Sequence, residues 1–227
     1  MFWNEDNQEN SDIFNNKIVD VSFKVDCQKI SLDHAYDLYE AINQKIPEIN
    51  TIDNLAIHSI YGAESGAGWE RPKTEIYLSK RTRFCIRTPI EYADKFFHLN
   101  DQTLNIGKKY LVKLSKPTIK KLIITDTIFC RSVIMENIED EDSFLSDVNS
   151  SLSLINIKVK KMLCGKDHYI KTPKKILRSK SLLITNLEKE DSIKIQELGI
   201  GIGKLYGCGI FLPHKSIAPV AISKDDD

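Results

Sequence analysis

The run Gly199-Ile-Gly201-Ile-Gly203-Lys204-Leu-Tyr206-Gly207-Cys-Gly209-Ile-Phe-Leu-Pro213 decides the reading of this chain. It holds five of the protein's ten glycines. Glycine at that density costs backbone entropy, so the folded state must require it. Two uses fit. One is a loop at positive φ that offers bare N–H groups to an anion. The other is a helix C-cap followed by a tight turn with no ligand. Asp191 to Leu198 reads as the end of a helix and Cys208 to Leu212 as the strand after it. That order is the reverse of a dinucleotide fingerprint, which follows a strand and opens a helix. A P-loop needs Ser or Thr after Gly-Lys, and Lys204 is followed by Leu205. A nucleotide-dependent enzyme is therefore disfavoured. Contact with a phosphate backbone, through Gly199, Gly201, Gly203, Lys204, Tyr206, Gly207 and Gly209, is the expectation.

Outward from this loop, periodicity organises the chain. Val19 to Val25 alternates as a half-buried strand, and Ser31 or Asp33 is placed to cap a helix with apolar positions at Leu32, Tyr36, Tyr39, Ile42 and Ile46. Leu55 to Tyr61 reads as a strand, residues 75–87 as one or two more, Pro89 to Leu99 as a helix, and Leu104 to Leu114 as a strand. The second half repeats the order: strand 122–131, helix 142–154, strand 157–163, strand 176–187, helix 188–198 and the last strand. Two βαββαβ sets in tandem make an α+β protein of two ferredoxin-like domains. The expected boundaries are a loose acidic tail over 1–16, a first domain over 17–115, a linker near Ser115-Lys-Pro117, and a second domain over 118–222.

Three segments carry a resemblance. The helix–glycine loop–strand run resembles the C-terminal signature of the RAMP-type CRISPR-associated proteins, in particular the endoribonucleases that process CRISPR repeat RNA (the "Cas six" family). The strand at Val19 and the Asp33-His34-Ala-Tyr36 helix start are similar to the opening of that family's Myxan-type branch, apart from Ala35 where glycine is expected. Leu55-Ala-Ile-His58-Ser-Ile-Tyr-Gly62 is like the branch's second strand. The resemblance implies the same tandem fold. It also implies attack by a 2′-OH on the adjacent phosphate, giving a 2′,3′-cyclic phosphate and a 5′-hydroxyl. Its expected partners are CRISPR repeat RNA and other subunits of a surveillance complex. A binding-only RAMP subunit is the alternative.

The 227 residues carry no formal net charge, which argues against a generic polyanion binder. Charge is uneven, however. Acidic residues crowd both ends and Glu136 to Asp142, while basic ones crowd 71–87, 108–121 and 158–180. Local basic patches bind RNA while the total stays neutral; equally, each is open to reading as a solvated face. Lys166, His168, Lys171, Lys174, Lys175 and Arg178, with Tyr169 interleaved, suit RNA backbone and base contact. Arg81 and Arg83, with Lys204, would stabilise charge on a pentacoordinate phosphate.

Of five histidines, His34 is the expected acid–base group, because the resemblance places the family's catalytic histidine at the first helix. Tyr36 would orient it or touch the phosphate, and His58 is the second acid–base position. His98 and His214 read as structural or uninformative. The five cysteines are odd in number and lack metal-ligand spacing, so reduced thiols, a cytoplasmic site and no metal or cofactor are expected. Glu139 to Asp142 reads as a solvated helix start.

Overall fold

The computed structural model describes residues 17–62, 74–136 and 138–215. The expected tail over 1–16 lies outside them. The chain divides into two units, Met1–Leu122 and Ile123–Asp227.

In the first unit, β1 (Ile18–Asp26) lies between β5 (Arg83–Pro89) and β7 (Tyr110–Lys121), antiparallel to both. The sheet order is β3-β5-β1-β7-β6, with β3 (Ala56–Ile57) and β6 (Thr103–Ile106) at the edges. The pleat turns Val19, Val21 and Phe23 to the buried core, joined by Phe84 and Ile86. A short ladder pairs β2 (Lys29–Ser31) with β4 (Glu75–Tyr77). Helices α1 (Ala35–Asn43) and α2 (Ala93–Phe97) complete the βαββαβ set.

Three details depart from the periodic reading. Residues 104–114 are a hairpin rather than one strand, because Gly107 and Lys108 take φ of 60° and 56° and reverse the chain. The buried face of α1 is Ala35, Leu38, Ala41 and Ile42, leaving Tyr36 and Tyr39 half-exposed. The hydroxyl explains part of this, since Tyr39 donates to Asn50 Oδ1 at 2.9 Å. Lastly, β7 runs unbroken through Ser115-Lys-Pro117. Ser22 faces Thr118 while Lys24 faces Ser115, so Lys116 and Pro117 together stand opposite Phe23. A β-bulge with Lys116 at φ 51° accommodates the proline that marks a linker in the sequence.

The second unit has strands β8 (Ile128–Val133), β9 (Lys161–Lys171), β10 (Ile176–Thr185) and β11 (Leu212–Pro213), ordered β11-β8-β10-β9. With α3 (Glu141–Leu154) and α4 (Lys189–Leu198) this is a second ferredoxin-like set. Phe144, Val148 and Leu152 of α3 are fully buried. Asp140 caps that helix by accepting from the Ser143 N–H at 2.7 Å, and Glu141 and Asp142 stand in its first turn, where carboxylates oppose the helix dipole. None of the described helices is long and apolar enough to cross a membrane.

Candidate functional site

His34 stands at the N-cap of α1 and is buried. Its Nδ1 lies 2.8 Å from the Ser31 carbonyl oxygen, which only accepts, so Nδ1 carries the proton. Its Nε2 accepts the Ile60 backbone N–H at 2.9 Å. Burial, the largest cause, lowers its basicity against weaker opposing pulls from the Ser31 and Leu32 backbone and from Asp33 and Asp37. The ring is neutral, its tautomer is set, and in this conformation it has no nitrogen to offer a substrate. His34 therefore ties the turn before α1 to the segment after β3. Tyr36, the second residue of the helix, is half-buried, its ring centroid 6.1 Å from that of Tyr39.

His58 is different. It follows β3 and donates its backbone N–H to Cys85 of β5. Its side chain lies on the sheet face opposite Val21 and Phe23. There its Nε2 is buried without a hydrogen-bond partner, 3.5 Å from Asp20 Oδ1. Asp20 in turn accepts from Arg87 Nε at 2.8 Å and from Nη2 at 3.1 Å. Burial alone would raise the Asp20 carboxyl. The neighbouring His58 and Arg87 side chains outweigh it and hold the group well below the usual carboxylate range. Arg87, which the sequence places in a basic patch, is 2% exposed. Neither Asp20 nor Arg87 stands out in the sequence. The available signal was a charged residue at a polar position of an alternating strand, matched by an arginine inside an apolar one.

The glycine loop serves the fold more than the sequence implies. All five of its glycines have positive φ. The N–H groups of Gly199, Ile200, Ile202, Tyr206, Gly207, Cys208 and Gly209 all donate to carbonyls within the second unit. A Cβ at Gly201 would overlap the Ile134 carbonyl oxygen, and one at Gly209 would overlap that of Ile200. The expected row of bare N–H groups is thus largely consumed, and Gly207 and Gly209 are buried. Gly201, Gly203, Lys204 and Tyr206 remain partly exposed, and partial burial lowers the Lys204 amine.

The basic segment 158–180 is a ribbon rather than a contact loop: β9 continues through His168 to Lys171 and pairs with β10 to the turn Thr172–Lys175. Thr172 Oγ1 accepts the Lys175 N–H and donates to the Lys175 carbonyl, closing that turn. Lys166, Tyr169, Lys171, Lys174 and Lys175 are exposed. Tyr169 faces Arg178 across the ladder, and Asp167 pairs with Arg178 at 2.8 Å and Lys180 at 2.9 Å. Arg81 is exposed, whereas Arg83 folds back so that Nη1 donates to the Arg81 and Thr82 carbonyls at 3.2 and 3.1 Å. His98 caps α2 and His214 is exposed beside Phe129. Among the described residues no cluster of His, Cys, Asp or Glu is placed to hold a metal ion. The five cysteines are free thiols.

A family model described as Cas6 Crispr matches residues 19–216, which span both units. The chain belongs to the Cas6 family. It is 26% identical over 202 residues to the CRISPR-associated endonuclease Cas6 of Myxococcus xanthus, covering 89% of this chain and 84% of that relative. Among solved structures it resembles a CRISPR associated protein Cas6 at a TM-score of 0.62 and 13% identity, over 87% of this chain and 99% of that one. A Cas6-related protein from Pyrococcus furiosus gives 0.57 and 13%, over 86% and 97%. A RAMP protein described as binding different RNA substrates gives 0.58 and 12%, over 86% and 98%. These likenesses agree with the tandem ferredoxin-like fold of Cas6 proteins.

Proposed function

We propose that this chain is an endoribonuclease that cuts CRISPR repeat RNA into guide RNAs. The family match over residues 19–216 supports the activity. For the chemistry, the observation that carries the reading is the His58 ring, whose Nε2 faces a carboxylate with no hydrogen bond of its own. The 2′-OH attacks the adjacent phosphate, a base takes its proton, and an acid protonates the departing 5′-oxygen. The products are a 2′,3′-cyclic phosphate and a 5′-hydroxyl. Histidine suits both transfers because its reference pKa of about 6.5 lies near working pH. His58 is the acid–base group of this reading. His34 holds the segment that carries it, and Tyr36 stands two residues after His34 at the start of α1. The exposed face of the β9–β10 ribbon, with Lys166, Lys171, Lys174, Lys175, Arg178 and Tyr169, binds RNA phosphates and bases. Arg81 in the first unit and Lys204 in the second each offer a cation to RNA phosphates. Retention of the product among other subunits of a surveillance complex, in the cytoplasm, completes the reading.

The binding-only alternative has one observation in its favour: both ring nitrogens of His34 are engaged within the fold. One experiment separates the two. The protein is incubated with its repeat RNA in EDTA and the product ends are analysed. Cleavage to a cyclic phosphate supports the enzyme. RNA bound and uncut, with or without magnesium, supports the binding subunit. Cleavage that requires magnesium overturns the 2′-OH mechanism. A 2′-deoxy nucleotide at the scissile position should block cleavage and leave binding intact.

A further inference from the structure

Two polar atoms on one sheet face are buried without hydrogen-bond partners: His58 Nε2 and Ser22 Oγ. Buried polar groups left unpaired are uncommon and costly, so each calls for an explanation. Beside them lies an Asp20–Arg87 pair with both hydrogen bonds made. Burying two charges in a sheet contributes little to stability, because desolvation offsets their attraction. The His58 ring stands 3.5 Å from that carboxylate, close enough to feel its charge and too far for a well-made hydrogen bond.

We infer that Asp20, clamped by Arg87, is a positioning residue for His58. It holds the ring with Nε2–H toward the carboxylate, so that the proton-transfer nitrogen is Nδ1. The argument is one of valence. A neutral imidazole has one N–H and one lone pair. A carboxylate only accepts, so it favours the tautomer with hydrogen on Nε2 and leaves the lone pair on Nδ1. When Nδ1 takes a proton from the 2′-OH, or delivers one to the 5′-oxygen, the carboxylate stabilises the imidazolium. The bidentate Arg87 fork fixes the Asp20 side chain and keeps it ionised. The other titratable groups around the ring are Cys85 on β5, whose thiol burial pushes up, and Lys120 on β7, which stands opposite Asp20 in the ladder. Asp20 is the one carboxylate among these groups.

This inference rests on the reading of His58 as the acid–base group, and the test keeps the two apart. Nitrogen-15 spectra of the wild-type imidazoles come first and need no variant: Nε2–H on His58 is expected, and Nδ1–H overturns the proposal. Single-turnover cleavage across pH is then measured for Asp20→Asn. A neutral amide removes the anion and can donate to the ring, trapping the other tautomer. The plateau rate should fall about tenfold to a hundredfold, a share of what proton transfer contributes. The limb of the profile set by the histidine should move to lower pH, with RNA affinity unchanged and Asp20→Glu restoring part of the rate. An unmoved profile overturns the proposal. Should Asp20→Asn fail to fold, Arg87→Lys keeps the positive charge and loses the fork. Its rate should fall at constant affinity, and a wild-type rate overturns the proposal. Full activity in His58→Ala sinks the catalytic reading itself. Loss of activity there, with an unmoved Asp20→Asn profile, sinks only the positioning role.

Discussion

Ile60 donates its backbone N–H to Nε2 of His34 at 2.9 Å, joining residues 26 positions apart. The same ring donates from Nδ1 to Ser31. Removing it leaves a buried N–H and a carbonyl unpaired, each costing about 1–3 kcal/mol. His34→Ala should therefore lower the melting temperature by several degrees. Cleavage measured well below that temperature should stay within tenfold of wild type. Complete loss of cleavage in a fully folded His34→Ala protein would return the acid–base role to His34.

The same ring makes stability depend on pH. Burial lowers its basicity in the folded state, so on acidification the unfolded chain takes up the proton first, near the reference pKa of about 6.5. The His34 contribution is present above that pH and is lost as pH falls below it. Glu75 is held at about 2 by hydrogen bonds from Lys29, Tyr110 and Lys109, so its contribution persists until far lower pH. Melting temperatures at pH 7.5 and pH 5 should differ in the wild type and differ less in His34→Ala. An equal slope in both proteins would mean that another group carries the dependence.

The ribbon of β9 and β10 makes a separate claim. Lys174 and Lys175 are exposed at its turn, so removing both should leave stability unchanged. If each neutralises a phosphate, the slope of log affinity against log salt should shrink by roughly one to two units. Tyr169→Ala should cost about 1–3 kcal/mol of affinity if a base stacks on the ring. Unaltered slope and affinity would make this face merely solvated.

In the glycine loop the cost of substitution should follow space rather than ligand contact. Gly201→Ala would drive a methyl into the Ile134 carbonyl, whereas a Cβ at Gly203 meets its nearest atom at 3.3 Å. Both have positive φ, worth about 1–2 kcal/mol to a side chain. Urea unfolding should show Gly201→Ala as the more damaging. The opposite ranking, with RNA affinity lost at Gly203 alone, would favour phosphate contact there.

Much of the architecture is legible in the sequence because apolar alternation in β1 and the helix–glycine–strand order at 189–213 are local signals. The hairpin of β6 and β7 was hidden because Gly107-Lys108 lacks the usual Asn-Gly or Asp-Gly mark. The length of β9 was hidden because Lys166, Asp167 and His168 are polar, as befits a ribbon with one face in solvent. Asp20 and Arg87 meet across 67 positions, and no spacing rule pairs them. His34 was visible as a histidine at a helix start, but what it bonds to depends on where Ile60 returns.

The loop at 199–209 also guards a sheet edge. β11 is two residues long and covers only Phe129 and Ile128 of β8. Beyond it, Gly209 donates to the Ser132 carbonyl at 2.7 Å and Ile202 to that of Ile134 at 3.2 Å. The loop thus occupies backbone acceptors that a bare strand would present to a second chain. Its glycines let a non-strand segment lie close enough to do so. Loosening the loop would convert a covered flank into a template for intermolecular β-pairing, and concentration-dependent aggregation would then precede any loss of RNA binding.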